Sequence, residues 1–288
     1  MSLVSRVLTI CLIACAAASC LGGRAAQAQD CFWHTTPQDS LKAEQVLSSL
    51  KCTQIESVPH LMLAAGVGLS GQPYVAGTLE EQPEEQLCIY LTRTDCILFV
   101  ETCLALACTA RTGGGFPEFA DELRQSRYRD GTVTCYADRL HYTSEWILQG
   151  EKRGILKDIT MELGGEPYCH PVNFMSTHPD AYPRMDDVEA IKAAEARINA
   201  IPACQIPKAK VKGILKEIQS GDIICLVSGI EGLDILHVGI AAKGGTEDTI
   251  CLIHASSVAG KVIVDPKPLD RYLEGRKSVT GIRVLRPL

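Results

Sequence analysis

Apolar residues recur at helical spacing through the first two thirds of the chain and alternate at strand spacing in the last third. Residues 40–50 and 56–65 read as short amphipathic helices, and a turn-rich stretch, GLSGQPYVAGT, fills residues 68–78. Residues 96–110, CILFVETCLALACTA, are apolar almost all round, the pattern of a helix placed in an interior. Gly113, Gly114 and Gly115 end it. Residues 139–149 read as a helix carrying His141, Tyr142 and Trp146, residues 167–185 as a loop, and residues 188–201 as another helix. From Gly221 onward the period changes. Residues 223–227, 234–241, 249–255, 261–264 and 281–285 read as β-strands between Gly- or charge-rich turns. Helices followed by an antiparallel run of strands is the α+β pattern. With no repeat and no linker, one domain is expected, carrying a large insertion of helix and loop at residues 114–207.

Within the apolar helix stand Cys96, Cys103 and Cys108. Thr94 or Asp95 can cap its start, which puts Cys96 in the first turn. There, free backbone N–H groups and the helix dipole favour a thiolate. At about 1.5 Å rise per residue, Cα atoms five or more positions apart are separated by roughly 8 Å or more, against a disulfide limit of about 7 Å. No bridge can therefore form within the helix, and Cys103 and Cys108 read as buried small hydrophobes or as partners of distant cysteines.

A cysteine nucleophile needs a base, and two histidines fall in strands: His237 in GLDILHVGIA and His254 in TICLIHASS. A hairpin reversing at residues 243–248 sets Ala241 opposite Ile250 and His237 opposite His254, so that the imidazoles touch if the register is unbulged. Gly239 and Ala241 share a face with His237 and leave room for a helix end. Nucleophile on a helix start, base on a strand and a third group orienting the base is the general triad arrangement. Cys96, His237 and His254 could also ligate zinc, but no fourth ligand at a fixed spacing is evident.

Composition adds class and compartment. The chain has 288 residues, of which 46% are hydrophobic and 22% charged, a folded globular balance; its net charge of −6 argues against a nucleic-acid surface. Arg6, an apolar run over residues 7–18 and Ala26-Gln27-Ala28 read as a secretory signal over residues 1–28, leaving a domain of residues 29–288. A rival processing site at Ala18-Ser19-Cys20 would attach a lipid anchor to Cys20. Eleven of the fourteen cysteines lie beyond the signal, and an odd number in an exported protein suggests a free thiol or an intermolecular bridge.

GQPYVAGT (residues 71–78), DCILFVE (95–101), GLDILHVGIA and the HASS of residues 254–257 resemble the NlpC/P60 cysteine peptidases and amidases. RYRDG (127–131), DRLHYTSEW (138–146), NFMSTHP (173–179) and SGDIICL (220–226) narrow the resemblance to the N-acetylmuramoyl-L-alanine amidase-like branch, over roughly residues 41–288. That resemblance implies a papain-like α+β fold with the Cys helix packed on an antiparallel sheet. It implies a Cys96–His237–His254 triad acting on peptidoglycan or its muropeptide fragments, without cofactor or metal. Tyr74 and Asp95 fall at the oxyanion and substrate end of the site, Tyr74 donating to the oxyanion together with the Cys96 N–H. An exported, periplasmic monomer is expected.

One position departs from the wider pattern, in which a serine follows the cysteine and helps hold a free amine. Here Ile97 and Leu98 follow Cys96. Burying an unpaired ammonium is costly, so the site suits an acylated amine, the muramoyl–L-Ala amide, better than the L-Ala–γ-D-Glu bond. Arg139, His141 and Tyr142 on the insertion's helix, with Met175, Ser176 and His178 on its loop, are candidate walls of the substrate cleft. A stem-peptide endopeptidase and a non-enzymatic wall-binding protein are the alternatives.

Overall fold

A computed structural model gives the structure for residues 33–55, 57–244 and 249–288. The signal segment, its cleavage site and Cys20 lie outside the described residues. Along the chain, β1 (Trp33–Thr35), α1 (Pro37–Lys51) and α2 (Val58–Gly68) lead to β2 (Leu87–Ile89), α3 (Cys96–Arg111), α4 (Phe116–Arg127) and α5 (Thr143–Arg153). Short strands β3 (Leu156–Asp158), β4 (Glu166–Tyr168) and β5 (Ala203–Pro207) are interleaved with α6 (Phe174–Thr177) and α7 (Val188–Asn199). The chain closes with β6 (Ile223–Ser228), β7 (Ile235–Lys243), β8 (Ile250–Ser256), β9 (Lys261–Val264), α8 (Leu269–Glu274) and β10 (Val279–Pro287).

The architecture is mixed α+β with an antiparallel sheet. Its strands run in the order β4-β5-β10-β6-β7-β8-β9, with β3 also paired to β10. Strands β1 and β2 form a separate parallel pair. The run IICLVS of β6 is buried throughout because it faces two cores. Ile223, Cys225 and Val227 point into the core shared with α1 to α5, and Ile224 and Leu226 into a second core closed by Leu269 and Leu273 of α8. That is the period-two alternation of a central strand.

Helix α3 is enclosed from Leu98 to Ala110, as its apolar sequence requires; Phe99, Val100, Cys103, Leu106 and Ala107 are inaccessible to solvent. It packs on β7 and β8 and is backed by α2 and α4. Gly66 of α2 permits this layering, since a Cβ there would sit 3.2 Å from Ile240 of β7 and 3.3 Å from the Phe99 ring. Cys103 and Cys108 are buried free thiols, and all ten cysteines among the described residues are unbridged.

The region of residues 114–207 departs from the helix-and-loop expectation. Phe116, Phe119, Leu123 and Trp146 extend the main core, β3 and β5 join the sheet, and only Tyr142, Met175, Ile191 and their neighbours form a local cluster. Helix α5 begins at Thr143, not at residue 139, because the Leu140 N–H is drawn to Arg127 O at 2.9 Å and Tyr142 is extended as the N-cap. The stretch read as loop at 167–185 holds the end of β4 and the single turn α6, which pairing with β5 and burial of Met175 stabilise against its prolines.

Under the start of α3, Glu101 pairs with Arg127 of α4 at 2.9 Å, both side chains at most 4% exposed, and Arg127 donates onward to Cys88 O of β2. Three elements are thus held by one buried pair, and removing one partner strands a charge. Glu101→Ala is expected to lower unfolding free energy by about 3–5 kcal/mol in urea titration. A loss under 1 kcal/mol would show that the pair does not tie these elements together.

Candidate active site

Residue types decide where α3 begins. Asp95 is extended, and its Oδ1 accepts the Leu98 N–H at 3.0 Å, so the helix opens on Cys96 itself. As a capping carboxylate Asp95 accepts hydrogen bonds, which makes it a holder of the helix start and not an oxyanion donor. Burial raises its pKa against the opposing pull of the Leu98 N–H and Arg127.

The Cys96 thiol is half-buried against β7, with the backbone N–H of Val238 bonded towards its sulfur. Burial pushes the thiol up to about 12, and the Asp95 charge adds to the rise. The N–H groups of Val238, Ile97 and Cys96 oppose it. The helix terminus therefore acts in the expected direction, but desolvation outweighs it.

His237 stands beside a bulge. Leu226 faces His237 while Val227 faces Ile235, which leaves Leu236 as the extra residue on β7. A bulge re-aims the neighbouring side chain and is a common device beside reactive sites. On β8, Ala241 faces Leu252 and Lys243 faces Ile250. The register is thus two residues away from the expected one, because the hairpin is centred one residue further along. A two-residue shift preserves the face. It places His254 against Gly239, where a Cβ would stand 3.1 Å from the His254 Cβ. The missing side chain lets the imidazole lean diagonally, so that His237 Nε2 and His254 Nδ1 meet at 2.7 Å with ring planes 86° apart.

Tyr74, Cys96, Leu236, His237, Ser257 and Arg276 are among the residues lining one cavity of about 390 Å³. Tyr74 is anchored by its backbone, donating to Gly260 O at 2.9 Å, while the next N–H, of Val75, bonds Thr94 O at 2.8 Å. Burial raises the Tyr74 phenol, with Cys96 and Asp95 adding, so it keeps its proton as a donor. Burial, then His254 and Arg276, push His237 down to about 3. Burial also lowers His254, which Asp265 partly offsets.

Three neighbours were not singled out from sequence. Asp265 Oδ2 lies 3.4 Å from His254 Nε2, the Tyr272 ring meets His254 edge-on at 5.5 Å, and the Arg276 guanidinium covers the Tyr272 face at 4.4 Å. The stretch after β9 carries no periodic signal, and only the strand pairing brings it back to His254.

The candidate cleft residues divide. Arg139 and His141 line a separate cavity of about 280 Å³ with Ile97 and Leu98, on the other side of the first turn of α3. Arg139 is ion-paired to Glu80 at 2.7 Å, and His141 bonds Tyr136 O at 2.8 Å. Burial and then Arg139 push His141 down to about 3. Tyr142, Met175 and Ser176 line neither cavity. The Tyr142 hydroxyl donates to Glu195 and accepts from the Met175 N–H, and the Ser176 N–H donates to the same Glu195 oxygen. They build the local cluster. His178 is exposed and stacks on Phe174.

The signature of the AmiA-like, N-acetylmuramoyl-L-alanine amidase-like family matches residues 64–282, which contain all of these groups. The chain belongs to that family. A Bacteroides uniformis structure named N-acetylmuramoyl-L-alanine amidase is 36% identical, superposes with a TM-score of 0.76, and covers 80% of this chain and 98% of its own. A Bacteroides fragilis structure named a putative xylanase is 38% identical, with a TM-score of 0.73 over 78% of this chain and 99% of its own. A Legionella pneumophila protein at 22% identity shares the fold, with a TM-score of 0.68 over 87% of this chain and 95% of its own. No curated protein matches the chain.

Within this amidase-like fold, His237 and His141 are neutral at pH 7 because both fall well below the ordinary 6.5. The unfolded chain takes up protons below pH 6.5 that the folded chain refuses until about pH 3, so acidification across that window destabilises it. The thermal midpoint is expected to drop between pH 7 and pH 4, and to drop less in His237→Gln. An equal drop in both proteins would contradict a neutral buried His237.

Proposed function

We propose that this protein is an exported cysteine amidase that hydrolyses the N-acetylmuramoyl–L-alanine bond of peptidoglycan fragments through Cys96, His237 and His254. The observation that carries the reading is one cavity lined by a helix-start thiol and by His237, itself hydrogen-bonded to His254 behind it, in a chain of an amidase-like family. A papain-like, NlpC/P60 ancestry is part of the same proposal, supported by a cysteine helix laid on the strand that bears the base.

In the acylation step His237 takes the Cys96 proton as the sulfur adds to the lactyl carbonyl. The Tyr74 hydroxyl and the Cys96 N–H at the open end of α3 stabilise the oxyanion. Collapse returns the proton to the departing L-Ala nitrogen and leaves a thioester. Water, deprotonated by His237, then releases the muramic carboxylic acid and restores the thiol.

Ile97 and Leu98 present hydrocarbon on the far side of the helix start. The carboxylates lining the cavity with them, Glu80 and Glu101, are already paired with Arg139 and Arg127, and Asp95 is taken up by the Leu98 and Ile97 N–H groups. A free ammonium would find no uncommitted partner there, which supports an acylated amine over the stem-peptide cut. The glycosidase reading raised by one neighbour's name lacks support here. Glycoside hydrolysis uses two carboxyl groups, and none stands among the described residues lining the Cys96 cavity.

The test is mass spectrometry of products from defined muropeptides. Sugar freed of its whole peptide, with turnover abolished by iodoacetamide or Cys96→Ala and unaffected by EDTA, is the expected result. A shortened stem peptide identifies an endopeptidase, and unchanged turnover in Cys96→Ala ends the cysteine mechanism.

A further inference from the structure

The histidine pair, taken alone, has no direction. A neutral imidazole carries one N–H and one lone pair, so the proton between His237 Nε2 and His254 Nδ1 at 2.7 Å can belong to either ring. If it sits on His237, then His237 Nδ1 keeps its lone pair and can accept a proton from a thiol. If it sits on His254, then His237 must carry its own proton at Nδ1, and the base is blocked. His254 is 1% exposed, so bulk water does not decide between the two.

We propose that Asp265 decides it, as a positioning residue that sets the direction of the proton chain; this rests on the catalytic reading of Cys96 and His237. Asp265 Oδ2 stands 3.4 Å from His254 Nε2. An ionised carboxylate only accepts, so it holds a proton on His254 Nε2 and leaves Nδ1 free to accept from His237. The opposite arrangement would point a lone pair at the carboxylate. The carboxylate is itself fixed: Oδ1 accepts the Lys267 N–H at 2.8 Å, and the Asp265 N–H donates to Leu252 O of β8 at 2.8 Å. The Tyr272 ring closes another side of His254 and keeps the imidazole in place. The same arrangement serves the charged state. When His237 gains the thiol proton at Nδ1, its Nε2–H already points at His254 and no other proton has to move.

Asp265→Asn tests this, because an amide can donate to His254 Nε2 and so favours the reverse direction. Nitrogen chemical shifts of ¹⁵N-histidine in the full chain report the tautomers without any substrate. The wild type is expected to hold the proton at Nε2 on both rings, and Asp265→Asn to move both to Nδ1. With muropeptides, kcat is expected to fall about 10²–10⁴-fold with KM within twofold, by analogy with loss of the orienting carboxylate in serine proteases. Asp265→Glu is expected to regain part of that loss. Identical tautomers in wild type and Asp265→Asn overturn the proposal, as does a kcat within threefold of wild type. If the wild type cleaves no muropeptide, the function proposed above fails, while the nitrogen shifts and the rate of Cys96 alkylation still decide the role of Asp265.

Discussion

A helix buried from Leu98 to Ala110 has to bring its first turn against a strand while Cys96 stays open to a cavity, and the rest of the site follows from how that is done. The Asp95 cap fixes where α3 starts, the Glu101–Arg127 pair fixes its depth, and Gly66 lets α2 press it onto β7. Cys96 and Ile97 are therefore the last residues before the interior closes at Leu98. On the facing strand, the bulge at Leu236 and the bare backbone at Gly239 turn two histidines towards each other. Small changes of backbone shape at two points set the positions of both imidazoles, and the Asp95 cap sets that of the thiol.

Burial then sets the chemistry. With the thiol pushed to about 12 and the imidazole of His237 to about 3, the two stand as a neutral pair across the physiological range. In the proposed reaction the proton leaves sulfur as the carbon–sulfur bond forms, and not beforehand into a standing ion pair. The charge that appears on His237 is then met through His254 by Asp265, and the charge on the carbonyl oxygen by Tyr74 and the opening N–H of α3.

Much of this was legible in the sequence where local rules govern. The apolar circuit of residues 96–110, the capping Asp95 and the alternating strands after Gly221 each carry a periodic or capping signal, and they give the α+β class and the Cys helix. His237 and His254 were placed on one face although the register was set two residues off, since a face survives any even shift. What the sequence could not carry is what depends on distant partners. Arg139, His141 and Tyr142 sat inside a helical pattern, but a backbone bond from Leu140 to Arg127 delays α5, and Tyr142 turns inward to Glu195. Asp265 reaches His254 only through strand pairing, and short strands β1 to β5 are stabilised by neighbours, not by their own residues.

The central claim is that the Cys96 sulfur takes up the acyl group on the sugar side of the amide. Rapid-quench mass spectrometry of the protein during turnover of a defined muropeptide measures this directly. A burst of free L-Ala peptide is expected, together with an adduct on Cys96 whose mass is that of the N-acetylmuramoyl acyl group. An adduct carrying a stem-peptide acyl group, or turnover with no adduct on Cys96, would contradict it.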